Sequence, residues 1–162
     1  MGFATHLGPW LLGTVKNTTG TTAGTIRNMG ATVVSQTGTT TVSDTTATTL
    51  FVLPAGAMIN NFIVNITTAY AGTTGNTITV KIGSTTLGTV GGATTTPLSV
   101  GRATFTITDA SIATYQNVGS TDAIVTVTYA CAGTASGGAA SISCLYTVRD
   151  NDGSANPTST QQ

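Results

Sequence analysis

The chain of 162 residues and 16.1 kDa has the length of one domain and is long enough to bury a hydrophobic core. Only 6% of its residues are charged, against a usual share of about 25%, and five basic residues balance five aspartates. The scattered basic residues exclude a protein that binds nucleic acid through a clustered positive face. The positive mean hydropathy of +0.26 argues against a disordered chain.

Threonine takes the place of charge, since it occupies 39 positions, about a quarter of the chain. Its β-branched side chain favours strands. No window of about 11 to 18 residues shows a sustained helical period of apolar residues. The composition therefore predicts an all-β protein.

Targeting signals are not expected. The apolar cluster at residues 9–12 is shorter than the core of a secretory signal and has no positive flank. No stretch reaches the roughly 18 apolar residues of a membrane helix. We expect a soluble protein, synthesised in a cytoplasm, that has no membrane partner.

Residues 1–28 are predicted to form an extended arm. The stretch 13–25 is rich in Gly and Thr and has almost nothing to bury, whereas Phe3, Trp10, Leu11 and Leu12 form an apolar cluster just before it. At about 3.3 Å per residue, 28 extended residues reach roughly 90 Å, enough to cross onto a neighbouring molecule. We expect the arm to dock on a partner, and we expect the tail at 150–162 to be flexible.

Residues 29–149 are predicted to form an antiparallel β-sandwich of about eight strands. Apolar residues alternate with Thr, as in Ile78, Val80 and Ile82 against the intervening Thr and Lys, and turn residues separate the segments. The predicted strands are 32–36, 39–43, 48–53, 58–67, 77–83, 103–108, 123–131 and 140–148. A sharp corner is predicted at residues 54–57, and sheet-crossing loops at 71–75 and 88–96.

The last two predicted strands, 123–131 and 140–148, form a hairpin in this interpretation. That register sets Cys131 and Cys144 about 13 Å out of step, beyond the Cα separation of about 7 Å that a disulfide allows. We therefore expect two free thiols. This agrees with synthesis in a reducing compartment.

A surface of Thr in place of Lys and Glu leaves sheet edges without their usual protection by charge. Net charge near zero also removes repulsion between copies. The pattern favours a surface that is covered in an assembly, where hydroxyl groups pack and form hydrogen bonds with small desolvation penalties. A neutral monomer is the alternative.

No catalytic, metal-binding or cofactor-binding residues are predicted. The chain has one histidine, His6, which stands in the predicted arm and lacks partner ligands for a metal in its neighbourhood. The five aspartates stand where turns are expected, which favours turn and capping roles. The sequence DNDG at 150–153 has too short a spacing for a calcium loop and no closing Glu.

A strand that ends in a Leu-Pro corner, a Thr-Thr-Ala-aromatic turn and a Val-x-Ile-Gly strand occur in three segments: TLFVLPAGAMI (49–59), VNITTAY (64–70) and ITVKIG (78–83). Two further segments are GGAASI (137–142) with Tyr146 and the opening THLGPWLLGTV (5–15). These segments resemble small structural proteins of tailed bacteriophages, and the opening residues are similar to arms of marine phage virion proteins.

This resemblance to capsid decoration (cement) proteins implies a jelly-roll sandwich, typically a homotrimer, that sits on the lattice of the major capsid protein and stabilises the phage head. It implies no catalytic residues. We expect the protein on the capsid surface of the virion, with the major capsid protein and its own copies as partners. The predicted partner-binding residues belong to the arm: Phe3, His6, Pro9, Trp10, Leu11 and Leu12.

The alternative function is a host-recognition module of a tail or head fibre. Loops bearing Tyr70, Tyr115 and Asn117 would then bind a surface glycan through aromatic stacking. An enzyme is a third reading, and it would have to use His6.

Overall fold

The computed structural model of the protein describes residues 32–72, 74–92 and 97–148. Within them, nine strands form two antiparallel sheets, and a 3₁₀ turn and a short helix lie between the seventh and eighth strands. These elements are β1 (Thr32–Thr41), β2 (Thr48–Leu53), β3 (Met58–Thr68), β4 (Thr74–Ile82), β5 (Thr85–Gly91), β6 (Gly101–Ala103), β7 (Thr106–Ile107), the 3₁₀ turn Asp109–Ser111, α1 (Ile112–Gln116), β8 (Ala123–Ala132) and β9 (Ala139–Val148). The predicted arm at 1–28 and tail at 150–162 lie outside the described residues.

The two sheets pack face to face. Sheet A has the order β1-β9-β3-β6, and sheet B has the order β2-β8-β4-β5-β7. Without the short strand β7, these are the strand orders of an eight-stranded jelly roll. The prediction of an all-β antiparallel sandwich is confirmed.

Alternation along each strand builds the core. On β8, Ala123, Val125, Val127 and Tyr129 are buried, while the residues between them face outward. The inner faces of both sheets contribute to one cluster of buried residues. Its largest fully buried apolar members are Tyr70, Leu53, Ile66, Ile78, Leu87, Ile142, Val64, Val80, Val90, Val125 and Val127.

The corner predicted at residues 54–57 is confirmed. The amide of Ala57 donates a hydrogen bond to the carbonyl of Pro54 at 3.1 Å. Gly56 has a φ of 71°, a left-handed conformation that residues with a side chain rarely adopt. The corner turns the chain from β2 in sheet B to β3 in sheet A.

The predicted hairpin of the last two strands is wrong. β8 pairs with β2 and β4 in sheet B, whereas β9 pairs with β1 and β3 in sheet A. The connection at 133–138 therefore crosses between the sheets, and the ring of Tyr70 fills the space beside Gly138 where a Cβ would lie. The two cysteines are free, as expected, although the hairpin register from which this was inferred is wrong.

Three further segments differ from the prediction. β1 is one strand across residues 32–41, whereas the sequence predicts two strands at 32–36 and 39–43. Gly38 continues the strand at a point where Leu50 comes close, since a Cβ on Gly38 would lie 2.9 Å from the side chain of Leu50. Residues 85–91 form β5, whereas the sequence predicts a loop at 88–96. The strand predicted at 103–108 is divided into β6 and β7, because the chain passes from sheet A to sheet B between them.

The helix α1 was not predicted. It has five residues, too few for a helical period to show in the sequence. Tyr115 is its buried residue and packs edge-on against Phe62 of β3, with ring centroids 6.1 Å apart. Tertiary contact, and not intrinsic propensity, accounts for this helix.

Candidate interaction surfaces

The predicted partner-binding residues of the arm all lie outside the described residues: Phe3, His6, Pro9, Trp10, Leu11 and Leu12. The described chain begins at Thr32, at the edge of sheet A, where Thr32 is in register with Val148. The arm therefore stays a prediction, whereas the structure shows the surfaces of the sandwich.

Threonines lie in register across the outer face of sheet B. Thr79 of β4 is the partner of Thr128 on one side and of Thr89 on the other, and Thr89 is the partner of Thr106. The strands are about 4.8 Å apart, so the four hydroxyl groups form one continuous row. This row supplies hydrogen-bond donors and acceptors but no charge.

The outer face of sheet A also carries hydroxyl groups, but its rows include other side chains. Thr37 of β1 is the partner of Ser143 on β9, and their hydroxyl oxygens are 2.7 Å apart. Ser143 is in turn the partner of Ile63 on β3. The parallel row consists of Thr39, Ser141, Asn65 and Arg102.

The described residues include five charged side chains, and none lies in the centre of sheet A. Lys81 lies on the outer face of sheet B, and Arg102 lies on the edge strand β6. The three aspartates occupy connections, as predicted. Asp122 accepts a hydrogen bond from the amide of Ala55 at 3.0 Å.

Asp44 organises the connection between β1 and β2. Its carboxylate accepts hydrogen bonds from the amide of Thr41 at 2.7 Å and from the hydroxyls of Thr40 at 2.9 Å and Thr48 at 3.1 Å. Burial alone would raise the pKa of this carboxyl, but the hydrogen bonds outweigh it and the pKa lies below its ordinary value. Asp44 therefore has a structural role.

Exposed large hydrophobic side chains within the described residues lie near the lateral edges of the sheets, not at their centres. In sheet B, Val52 of the edge strand β2 is 42% exposed, and its register partner Ile124 on β8 is 53% exposed. On the other side, Ile107 of β7 is 49% exposed, and Ile112 of α1 is 52% exposed. Val33 and Val100 are exposed near the two edges of sheet A.

The sequence interpretation did not single out these residues. A signal for one of them was present, because Leu50, Phe51, Val52 and Leu53 form an unbroken apolar run. Since successive side chains on a strand point to opposite faces, such a run places at least one apolar residue outward. Ile124 followed by Val125 carries the same signal.

A shallow groove of about 380 Å³ opens beside β3 and β6. Phe62 and Phe105 form a ring pair at its base, with centroids 4.9 Å apart. The groove exists because β6 ends at Ala103, the partner of Val64, while β3 continues without a β6 partner beside residues 58–63. Its lining residues are Asn61, Phe62, Arg102, Ala103, Thr104 and Phe105.

The aromatic residues of the glycan-binding alternative are buried. Tyr70 is fully buried, and its hydroxyl donates a hydrogen bond to the carbonyl of Thr40 at 2.9 Å. Burial raises the pKa of Tyr70 to about 12. Tyr115 is 9% exposed, and burial likewise raises its pKa. Neither ring can stack on a sugar, and the amide oxygen of half-buried Asn117 accepts a hydrogen bond from the amide of Gly119.

Chemically reactive groups are sparse in the part of the chain that the structure describes. Burial raises the pKa of the Cys144 thiol to about 12, and the Cys131 thiol lies 3.1 Å from the carbonyl oxygen of Gly133. Residues 32–72, 74–92 and 97–148 contain no group of three His, Cys, Asp or Glu residues that could hold a metal ion. No helix within these same ranges is long and apolar enough to span a bilayer.

No protein-family model matches the chain, and no curated protein sequence matches it. Among solved structures, the chain is similar to one described as the cyanophage Pam1 capsid asymmetric unit. The identity is 16%, the match covers 80% of this chain and 94% of that chain, and the TM-score is 0.48. A likeness at this level is too distant to assign a function.

Proposed function

We propose that the protein is a capsid decoration protein of a bacteriophage, which binds the lattice of the major capsid protein and stabilises the head. In this proposal the sandwich forms a homotrimer on the capsid surface, and the arm at residues 1–28 clamps neighbouring capsid subunits. The mechanism is mechanical, so the proposed role requires no cofactor and no catalytic residue.

The outer faces of the two sheets, which are rich in hydroxyl groups and poor in charge, carry the proposal. A β-protein that stays free in solution usually protects its sheets with Lys, Glu and other charged residues. Here the row from Thr128 through Thr79 and Thr89 to Thr106 crosses sheet B without a charge. Thr and Ser hydroxyls lose less on desolvation than charged groups, and they can exchange water for hydrogen bonds to a partner.

The arm supports the same role. Phe3, Trp10, Leu11 and Leu12 are apolar anchors in a segment that otherwise has little to bury. Modest contacts that are repeated over a lattice and linked through one chain give a large overall affinity. The resemblance of the segment 5–15 to virion arms points in the same direction.

Immunogold electron microscopy of purified phage particles from the source tests the proposed location. We expect an antibody against the sandwich to label the head in a regular array. Label confined to the tail or to fibre tips would contradict the decoration role and would favour the host-recognition alternative.

Deletion of residues 2–12 tests the arm. We expect the shortened chain to fold, because the described sandwich begins at Thr32, and to lose its binding to heads that lack the native protein. Deletion of the tail at 150–162 is the matched control and should leave head occupancy unchanged. Equal occupancy by both shortened chains would show that the arm is not the anchor.

A further inference from the structure

Part of β3 is an unpaired edge of sheet A beside the groove. β3 runs from Met58 to Thr68, and β6 is in register with it only at residues 64–66. At the other end, the amide of Val118 donates a hydrogen bond to the carbonyl of Ala57 at 3.0 Å. Between these two contacts, no described strand pairs with β3 on this side. Because alternate residues of a strand direct their N–H and C=O groups to each side, this edge can pair with one more short strand.

The groove beside this edge combines aromatic rings with one cation. The half-buried Phe105 packs on Phe62, and Arg102 lines the groove with an exposed side chain. A guanidinium group attracts the face of an aromatic ring, whereas it repels another cation. The groove therefore suits an extended segment that brings aromatic and aliphatic side chains without positive charge.

The sequence contains such a segment at its start. Residues 1–15 contain no Asp, Glu, Lys or Arg, and the apolar cluster of the predicted arm lies among them. In an extended strand, residues two apart lie on the same face, so Trp10 and Leu12 would face the groove together. The aromatic ring and the absence of charge both match what the groove offers.

The described chain also begins near this edge. Thr32 is in register with Val148, and the preceding Thr147 is the partner of Met58, so β1 starts level with the unpaired part of β3. Three strand-to-strand steps of about 4.8 Å lead from β1 past β9 and β3 to the unpaired edge, a distance of roughly 14 Å. Phe62 lies four residues along β3, roughly 13 Å from Met58. The groove is therefore roughly 20 Å from Thr32.

The length of chain between the apolar cluster and β1 fits this distance. Residues 13–31, which are rich in Gly and Thr, connect Leu12 to Thr32. A Gly-rich linker of this length has an r.m.s. end-to-end distance of roughly 24 Å. The effective concentration of a tethered segment is highest when this length matches the span. The groove of the same copy is thus favoured over any other site for this segment.

We propose that, in the protein free of a capsid, residues 10–15 pair with the unpaired edge of β3 in their own copy and place Trp10 in the groove beside Phe105 and Arg102. Docking covers an apolar cluster that would otherwise face water. It also covers a sheet edge that would otherwise be open to another chain. The inference goes beyond the proposed function, because it concerns the arm before the protein meets a capsid.

Fluorescence of the full-length protein tests the docking, because Trp10 is the only tryptophan of the chain. We expect acrylamide to quench Trp10 several-fold less in the protein than in a peptide of residues 1–15, because the groove shields the ring. One variant carries Asn61→Lys and Thr104→Lys, which place two charges at exposed positions of the groove lining. We expect quenching in this variant to rise to that of the peptide and its emission to shift to longer wavelength.

The control variant carries Ala130→Lys and Ala132→Lys, which add the same charge at exposed positions at the end of β8. It should keep the protected Trp10 of the unaltered chain, and circular dichroism should show that both variants are folded. Equal quenching of the protein and the peptide, or equal protection in both variants, would overturn the proposal. The spectra are taken without capsids, so the docking can fail while immunogold still labels the head, and the reverse also holds.

Cysteine cross-linking tests the same contact without added charge. In a Cys131→Ala background, one chain carries Trp10→Cys with Thr104→Cys, and the control chain carries Trp10→Cys with Ala130→Cys. Under mild oxidation, we expect the first chain to form a disulfide within one copy, which joins the tryptic fragments 1–16 and 103–149. The control chain should form far less. A disulfide between two copies, or equal linkage in both chains, would overturn the docking of the arm on its own copy.

Discussion

The two lateral sides of the sandwich are closed by different kinds of contact. On the β1–β2 side, polar groups close the gap between the sheets. The amide nitrogen of Gln36 donates to the carbonyl of Val52 at 2.8 Å and lies 2.7 Å from the hydroxyl oxygen of Tyr146. Asp44 holds the connection between the two strands through three hydrogen bonds.

On the β6–β7 side, aromatic rings close the gap. Phe62 packs against Phe105 and Tyr115, with centroids 4.9 Å and 6.1 Å away. The hydroxyl of Ser111 donates to the carbonyl of Leu87 at 3.1 Å and fixes the 3₁₀ turn on β5. A short connection lets β1 and β2 meet through local hydrogen bonds, whereas β6 and β7 are too short to cover their neighbours and need bulky side chains. Stability should therefore depend more on the second side.

Phe62→Ala should have the largest effect. Truncation of a buried aromatic side chain costs about 3–5 kcal/mol, because it removes apolar burial and leaves a cavity. Phe62 is 4% exposed and contacts both other rings of this side. Urea unfolding followed by circular dichroism gives the change in the free energy of unfolding.

Ile63→Ala is the matched control for that measurement. Ile63 is the next residue on β3, but it faces outward and is only half-buried. We expect a loss below about 1.5 kcal/mol, since less apolar area leaves contact with the protein. Equal losses for Phe62→Ala and Ile63→Ala would contradict the aromatic closure.

Gly88→Ala and Gly38→Ala each add one methyl group, the first on the β6–β7 side and the second on the β1–β2 side. A Cβ on Gly88 would lie 2.5 Å from both the ring of Phe105 and the carbonyl oxygen of Thr106. A Cβ on Gly38 would lie 2.9 Å from the flexible end of Leu50 and 3.0 Å from the carbonyl oxygen of Leu50, which is a looser contact with the backbone. Overpacking costs about 1–3 kcal/mol, and the entropy that Ala removes from the unfolded chain returns about 0.4–1 kcal/mol. We expect the melting temperature to fall for both variants, and to fall further for Gly88→Ala than for Gly38→Ala. The reverse order would contradict the tighter packing of the β6–β7 side.

The sequence predicts the bounds of the long strands better than it predicts their neighbours. Strong alternation placed β2, β3, β8 and β9 within one or two residues of their bounds, because each has a buried and an exposed face. The choice of partner was not predictable for β8 and β9. Both strands fit a hairpin or a crossover equally well, since alternation describes faces and not neighbours.

The β6–β7 side was the least predictable part of the fold. Its strands have three and two residues, and its helix has five, so neither period can develop. The candidate surfaces follow the same rule. The threonine faces were expected from composition, but the exposed Ile107 and Ile112 lie in elements that only tertiary contacts define.

Gln36→Ala should have a smaller effect than either Phe62→Ala or Gly88→Ala. It removes an exposed hydrogen bond to Val52 and a part-buried one to Tyr146, and the part-buried bond contributes about 0.5–1.5 kcal/mol. Thr37→Ala is the neighbouring control, since its bond to Ser143 is exposed and water can replace it. Urea unfolding gives the loss of stability for both variants. The same measurement on Tyr146→Phe, alone and combined with Gln36→Ala, gives the coupling energy between the side chains of Gln36 and Tyr146. No coupling would show that the Gln36–Tyr146 bond does not help to close this side.

Asp44→Asn should have the smallest effect, and it should depend on pH. The pKa of Asp44 is lower in the folded chain than its ordinary value of 3.8, so folding stabilises the ionised form. This contribution is complete above the unfolded pKa and is lost as the pH falls through the folded pKa. We expect the variant to be less stable than the unaltered chain by about 0.5–1 kcal/mol near pH 7, and we expect the gap to narrow below about pH 4. Urea unfolding from pH 7 to pH 2 measures the gap, and because the other aspartates are common to both chains, the difference isolates Asp44. A gap that stays constant or widens on acidification would show that the carboxylate does not hold the β1–β2 connection through its charge.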